Sequence, residues 1–118
     1  MRVLVCGSRD FEDRGRMFEA LDGLHYTFGI DSLIEGCAKG ADRLAEEWAA
    51  KHRVPNLHNP ADWGQHGRGA GYIRNRQMVN RHHPELVLAF YRDRTNPSRG
   101  TTDMVEVALS KRIQVIEW

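Results

Sequence analysis

Long apolar segments, cysteine, proline and lysine are all scarce in this sequence, and the first two scarcities exclude whole classes of protein. No apolar run approaches the roughly 20 residues that a membrane-spanning helix needs, so we expect no membrane partner. The two cysteines, Cys6 and Cys37, are too few for the disulfide framework of a small secreted domain. The opening residues, MRVLVCGSRD, become polar too early for a secretory signal. These absences favour a cytoplasmic protein with reduced thiols.

Motifs for metal, nucleotide-hydrolysing and redox chemistry are also missing. The six histidines show neither HExxH nor CxxC spacing, which argues against a metal site. No GxGxxG follows the first apolar run, no GxxxxGK[ST] loop is present, and neither Ser8 nor Ser98 lies in a GxSxG elbow. We therefore expect no cofactor, and the sequence does not identify a catalytic residue.

The net charge of +1 is nearly neutral, but the basic residues are unevenly distributed. Arginine outnumbers lysine 14 to 3, and residues 63–100 carry seven basic and two acidic side chains. The planar guanidinium fork suits bidentate contacts to phosphate or carboxylate, although a solvated basic face would show the same excess. A nucleic-acid partner is disfavoured, because strand binding relies on a broadly positive groove.

Apolar residues alternate between strand and helix patterns along the chain. Strands are predicted at residues 2–6, 31–36, 54–60, 85–91 and 112–118, and helices at residues 17–28, 41–49, 67–81 and 102–111. Strands that alternate with helices in this way indicate βαβ units and a parallel sheet. We therefore predict one α/β domain, residues 1–118, with a doubly wound five-stranded sheet. The longest irregular stretches are residues 59–71 and 92–100.

Three glycine-containing loops follow predicted strands and open predicted helices: GSRD, GCAKGAD and RDRTNPSRGTTD. Ligands of open parallel sheets bind beyond the carboxyl ends of the strands, where the strand order reverses. The free N–H groups and the positive dipole end of a helix N-terminus form a natural anion site. Each loop alone could be a turn or a helix cap, but three at the same edge predict a phosphate site.

Four segments together resemble one known superfamily: VCGSRDF, EGCAKGADRLAEEWA, PADWGQHGRGAGYIRNRQM and LAFYRDRTNPSRGTTDM. They are similar to the small SLOG proteins, and most of all to the single-domain YspA/YpsA-related branch. The resemblance covers nearly the whole chain. It implies a Rossmann-like parallel sheet, for which we adopt the order 3-2-1-4-5 with helices on both faces, and a nucleotide or nucleotide-derived ligand.

Cytokinin-activating phosphoribohydrolases are one better-understood group within this resemblance. RNRQM is similar to their RKxxM segment, which implies a ligand-binding or catalytic role for Arg74. SRGTTDM is similar to their PGGxGTxxE segment, which implies a phosphate cradle at Gly100 and Thr101. Their catalytic glutamate corresponds to Met104. The nearby acids are out of register, since one residue turns a helical side chain by about 100°.

The DNA-processing protein DprA is the other group. GSR, EGCAKGAD and RNR are similar to its segments, which makes single-stranded DNA an alternative ligand. A nucleotide hydrolase that uses another acid, Asp42 or Asp103, is a second alternative. Our main interpretation is a sensor or binding module for a nucleotide or nucleotide derivative, and whether it is an enzyme stays open. The chain could also act as a homodimer.

The predicted ligand-binding residues come from four parts of the chain. Asp62 and Trp63 are expected to form a lid over a base or ribose, and Lys39 to supply a cation. We expect one pocket, with the N-termini of the first and last helices pointing into it and Thr101 partly accessible. The predicted residues are Gly7, Ser8, Arg9, Gly36, Lys39, Gly40, Asp62, Trp63, Arg74, Asn75, Gly100, Thr101 and Thr102.

Overall fold

The computed structural model describes all 118 residues, and its strands form one parallel sheet. The order is β3-β2-β1-β4-β5, which confirms the predicted topology. Every neighbouring pair is parallel, so all five carboxyl ends lie at one edge of the sheet. The strands are β1 (Arg2–Gly7), β2 (Ser32–Glu35), β3 (Asn56–His58), β4 (Leu86–Phe90) and β5 (Gln114–Glu117).

Five α-helices and one 3-10 turn connect the strands. They are α1 (Arg14–Phe28), α2 (Ala41–His52), α3 (Trp63–His66), the turn Gly67–Gly69, α4 (Ala70–His82) and α5 (Arg99–Ser110). None of the helices is both long enough and apolar enough to cross a membrane.

The helices cover both faces of the sheet because side chains of a strand alternate between its faces. Val3 and Val5 of β1 pack with α1 and α2, where Trp48 is fully buried. Leu4 and Cys6 point to the other face and pack with α4 and α5. The central strands are buried on both sides, which explains their continuous apolar sequences. The prediction of helices on both faces is confirmed.

Several predicted boundaries differ from the observed ones, and at two of them a side-chain cap explains the difference. Residues 59–71 were expected to be irregular, but Asp62 accepts a hydrogen bond from the Gln65 amide and starts α3. The last helix begins at Arg99 instead of residue 102, because the Ser98 hydroxyl accepts the Thr101 amide. Caps of this kind satisfy helix amides that would otherwise lack a partner.

Candidate functional site

A cavity of about 370 Å³ opens at the carboxyl end of β1, the strand that pairs with β4 where the strand order reverses. Its walls come from the end of β1, the start of α2, the α3–α4 region and the N-terminus of α5. The volume lies within the range of about 300–1,000 Å³ for small-molecule sites. The position agrees with the general rule for doubly wound sheets.

The loop after β1 supplies one wall through Gly7 and Arg9. Gly7 lies so close to the Phe90 carbonyl and the Ala41 side chain that any Cβ would collide with both. Ser8 does not reach the cavity. It is 7% exposed, its amide donates to the Phe90 carbonyl, and its hydroxyl accepts the Arg92 amide. Ser8 therefore fixes the position of the loop.

The loop Gly36–Gly40 wraps around carboxylates of the protein itself. The amides of Gly36 and Ala38 donate to Asp42 Oδ2 at 3.1 and 3.2 Å, and the Cys37 amide donates to Glu35. Three amides that could have held a phosphate are thus already engaged. Gly40 does not line the cavity. It brings this loop against the backbone carbonyls of Ser8 and Arg9, with a φ of 72° that favours glycine.

Asp42 is the only acidic side chain that lines the cavity. Burial and, secondarily, the negative charge of Glu35 raise the pKa of Asp42 to about 6. The two amide hydrogen bonds and the positive charge of Arg74 oppose this rise. Only Oδ2 accepts hydrogen bonds from the chain, so Oδ1 remains available. The cavity therefore contains one carboxylate that changes charge just below neutral pH.

Arg74 and Asn75 enter the cavity from α4. Arg74 Nη1 donates to the Gly36 carbonyl at 2.6 Å, and its Nε donates to Asn75 Oδ1 at 3.1 Å. These two contacts hold the guanidinium in place while Nη2 has no partner in the chain. Asn75 is buried, and its side-chain Nδ2 donates to the Gly100 carbonyl and to Asp103. These contacts tie α4 to the start of α5. A Cβ at Gly36 would meet the guanidinium of Arg74, so a larger residue there would displace that side chain.

The N-terminus of α5 forms the wall opposite the loop after β2. Ser98 accepts the Thr101 amide through its hydroxyl and the Thr102 amide through its carbonyl. The amides of Arg99 and Gly100 have no partner in the chain, so they can donate to an anion. The expectation that Thr101 is partly accessible is wrong, because it is 3% exposed and its hydroxyl bonds to Ser98. Thr102 is exposed and does not line the cavity.

The N-terminus of α1 does not point into this cavity, contrary to expectation. The Asp13 side chain caps α1, and Asp13 and Arg16 border a separate depression with Asp10 and Phe11. The six residues between β1 and α1 carry the helix start away from the switch point. The other four helices begin at the cavity, with Asp42, Trp63, Gly71 and Gly100 among its lining residues.

Two aromatic side chains stand at the rim of the cavity. Trp63 of α3 is 51% exposed, and Tyr72 of α4 is 39% exposed. Asp62 caps α3 and does not line the cavity, so of the predicted pair only Trp63 is available as a cover. Exposed aromatic rings of this size at the edge of a cavity are suited to stack on a planar ligand.

Arginine dominates the charge of the cavity. Four arginines line it against the single acid Asp42: Arg9, Arg68, Arg74 and Arg99. Arg9 and Arg74 are among the residues predicted from the motifs, whereas Arg68 and Arg99 are not. The excess of basic residues between positions 63 and 100 was the available signal for both. The arrangement is complementary to an anionic ligand.

A second hollow of about 500 Å³ adjoins the first. Arg9, Ala38, Trp63 and Arg74 border both, while Gly36 and Lys39 line only the second. Of the thirteen predicted residues, the structure places nine in one hollow or the other. Ser8, Gly40, Asp62 and Thr102 lie outside both.

The resemblance to the phosphoribohydrolases sets their catalytic glutamate at Met104, which is not a carboxylate. Met104 is fully buried in the core between the sheet and α5. Asp103 does not line the cavity, because it pairs with Arg76 at 3.1 Å and accepts the Asn75 amide. Of the two acids considered as substitutes, only Asp42 is at the site.

These features define a Rossmann-like α/β domain with an arginine-lined cavity at its switch point. Residues 1–66 match the family described as the YspA, cpYpsA-related SLOG family. The chain is also 39% identical over 125 residues to the Gene 61 protein of Mycobacterium phage D29, which covers 99% of this chain and 95% of that protein. The protein therefore belongs to the YspA, cpYpsA-related SLOG family, as its motifs indicated.

Proposed function

We propose that this protein binds a nucleotide or nucleotide-derived phosphate in the switch-point cavity and acts as a sensor or binding module. One observation carries the proposal. Arg74 is held by the Gly36 carbonyl and Asn75, and its Nη2 is left without a partner in the same cavity as the unpaired amides of α5. A fixed guanidinium and free helix amides in one cavity suit a phosphate group.

The phosphate end of the ligand would lie at the start of α5. The amides of Arg99 and Gly100 would donate to its oxygens, and the positive end of the helix dipole would favour its charge. Arg74 would add a charge-assisted hydrogen bond from the α4 side. Thr101 would act indirectly, because its buried hydroxyl holds Ser98 and so shapes the first turn of α5.

The nucleoside end would lie between Asp42 and the aromatic rim. Asp42 Oδ1 can accept hydrogen bonds from ribose hydroxyls, since Oδ2 alone accepts the loop amides. Trp63 and Tyr72 provide faces on which a base can stack. The cavity therefore offers a separate contact for each chemical part of a nucleotide.

The binding role is favoured over catalysis because Met104 stands where the related hydrolases carry their glutamate. One observation supports hydrolysis as a second candidate. Asp42 lines the cavity with a pKa raised to about 6, which suits a general base near neutral pH. In that case Asp42 would activate water for attack on the N-glycosidic bond.

Calorimetry on the purified protein tests the proposal with AMP, adenosine, ribose 5-phosphate and inorganic phosphate, followed by the other nucleoside monophosphates. We expect a nucleoside monophosphate to bind more tightly than its nucleoside and than phosphate alone, because both ends of the cavity contribute. Native mass spectrometry of the protein as purified would reveal a retained ligand. The proposal is wrong if no compound of the panel binds with a Kd below about 1 mM, or −4.1 kcal/mol.

A reducing-sugar assay on the same monophosphates separates the two candidates. A binding module releases no ribose 5-phosphate. Multiple turnovers that disappear in Asp42→Asn would establish the hydrolase, while turnovers that persist in that variant would exclude Asp42 as the base.

A further inference from the structure

A second cluster of chemically active side chains lies at the carboxyl ends of β2 and β3. Glu35 ends β2, His58 ends β3, and the two are register partners in the sheet. Cys37 follows two residues after Glu35. The donor atoms of these three side chains all lie within 4.8 Å of one another.

The Glu35 carboxylate is fully buried, yet both its oxygens face this cluster. Oε1 lies 2.7 Å from His58 Nδ1 and 3.5 Å from Cys37 Sγ, while Oε2 accepts the Cys37 amide. Cys37 Sγ and His58 Nδ1 are 3.6 Å apart. Cys37 and His58 are both solvent-accessible, so the cluster opens to solvent on one side.

A nucleophilic role for this cluster is disfavoured. Burial and the neighbouring Glu35 carboxylate raise the pKa of Cys37 to about 11, so the thiol is protonated at neutral pH. Reactive cysteines have a lowered pKa and positively charged surroundings.

The distances match those of a tetrahedral metal site. Zn²⁺ binds sulfur at about 2.3 Å and nitrogen or oxygen at about 2.0–2.1 Å, which separates sulfur from the other donors by roughly 3.5 Å. The distances from Cys37 Sγ to Glu35 Oε1 and to His58 Nδ1 are 3.5 and 3.6 Å, which already match this value. Only the 2.7 Å hydrogen bond between His58 and Glu35 would have to lengthen, to about 3.3 Å on the same geometry.

We infer that Glu35, Cys37 and His58 bind a divalent cation of the zinc type. A thiolate, an imidazole and a carboxylate are together the donor set that zinc and its first-row neighbours prefer over Mg²⁺ or Ca²⁺. On binding, the cation displaces the thiol proton, which leaves to solvent. Cys37 also lines the second hollow, so the site borders the proposed ligand site without depending on it.

Titration with Co²⁺ alone, under reducing conditions, tests this inference through the thiolate-to-cobalt charge-transfer absorption. We expect one Co²⁺ per chain, and we expect Zn²⁺ to displace it and abolish the band. Mg²⁺ should leave the band unchanged. No band with stoichiometric Co²⁺ would overturn the inference.

Variants assign the ligands. Cys37→Ser should abolish the band. His58→Asn should lower the Co²⁺ affinity at least about tenfold, because even the loss of a group that only supports a metal ligand lowers the affinity by about that factor. Both side chains are solvent-accessible, so these variants should fold, which circular dichroism checks. Glu35→Gln adds a third test if it folds.

His83→Asn and Cys6→Ala are the controls, because His83 is an exposed histidine elsewhere and Cys6 is the other thiol. Neither should change the titration. A band that survives Cys37→Ser, disappears in Cys6→Ala, or is unaffected by His58→Asn would contradict the assignment.

Discussion

Arg74 shows how the proposed site holds one side chain in a fixed position. Two acceptors of the chain hold its guanidinium, the Gly36 carbonyl and Asn75 Oδ1. Little conformational freedom then remains to be lost on binding, which favours affinity. A lysine could not reproduce this arrangement, because it lacks the planar fork that makes several contacts at once.

Replacement of Arg74 by alanine should weaken binding of the best nucleoside phosphate by about 1.5–3 kcal/mol, the range for a hydrogen bond to a charged group. Calorimetry measures the effect. Arg81→Ala is the matched control, since Arg81 is exposed on the same helix and lines neither hollow. An unchanged affinity in Arg74→Ala would remove Arg74 from the site.

Asp42 should make the stability of the protein depend on pH. Its pKa is about 6 in the folded chain against 3.8 as the reference, so the folded state binds the proton more tightly. Stability is therefore lost as pH rises from about 4 to about 6, and the loss stays constant above that window. A carboxylate held in a salt bridge has the opposite effect, because its pKa is lowered and its contribution to stability is lost as pH falls.

The variant Asp42→Asn should gain stability over the parent protein at pH 7.5, by an amount on the order of 3 kcal/mol. Its carbonyl can still accept the Gly36 and Ala38 amides, while the buried charge is removed. At pH 4 the two proteins should differ little. Urea unfolding at both pH values measures the difference, and an equal difference at both would refute the assigned cause.

At the level of elements, the cavity depends on close approach between the loop after β1 and the loop before α2. Gly40 makes this approach possible, because its hydrogen lies where a side chain would meet the carbonyls of Ser8 and Arg9. Ser8 completes the junction, since its carbonyl accepts the amides of Phe11 and Ala41. Two loops that flank the site are thereby held as one unit.

Gly40→Ala should destabilise the protein more than Gly67→Ala. Both glycines have positive φ, 72° and 58°, so both variants share backbone strain on the order of 1–3 kcal/mol. Only Gly40 is crowded, whereas nothing lies within 4 Å of a Cβ at Gly67. Overpacking should add about 1–3 kcal/mol at Gly40. Thermal unfolding measures both, and equal losses would show that the loops can move apart.

At the level of the whole molecule, the net charge is small, but positive charge is concentrated at the cavity. The net charge is +1, yet four arginines and one buried aspartate line the cavity. A molecule with this distribution attracts a small anion at one place without offering a long basic groove. The charge pattern thus favours a nucleotide over a polynucleotide.

Single-stranded DNA should accordingly bind only weakly, because few phosphates would be neutralised and few counterions released. Fluorescence anisotropy with a labelled oligonucleotide in about 150 mM salt, near physiological ionic strength, measures this. A submicromolar Kd under those conditions would instead favour the alternative of a strand-binding protein, whose affinity should then fall steeply with salt.

The sequence by itself determined the architecture of this protein. Continuous apolar strands that alternate with helices specify a parallel sheet, and GSR and GCAKGAD lie within the residues that match the family. These features are local or depend on fixed intervals along the chain, so they can be read without coordinates. Helix starts were less accurate, since Asp62 and Ser98 act as caps through single hydrogen bonds.

Only the tertiary structure decided which side chains share a site. It placed Ser8 behind the cavity wall, engaged the amides of the Gly36–Gly40 loop with Asp42, and buried Thr101. The register of β2 and β3 also brought Glu35 and His58 together, and no spacing in the sequence indicates that register. Side-chain direction and strand register depend on packing between distant segments. A one-residue shift in strand register would turn the side chains of that strand to the opposite face of the sheet.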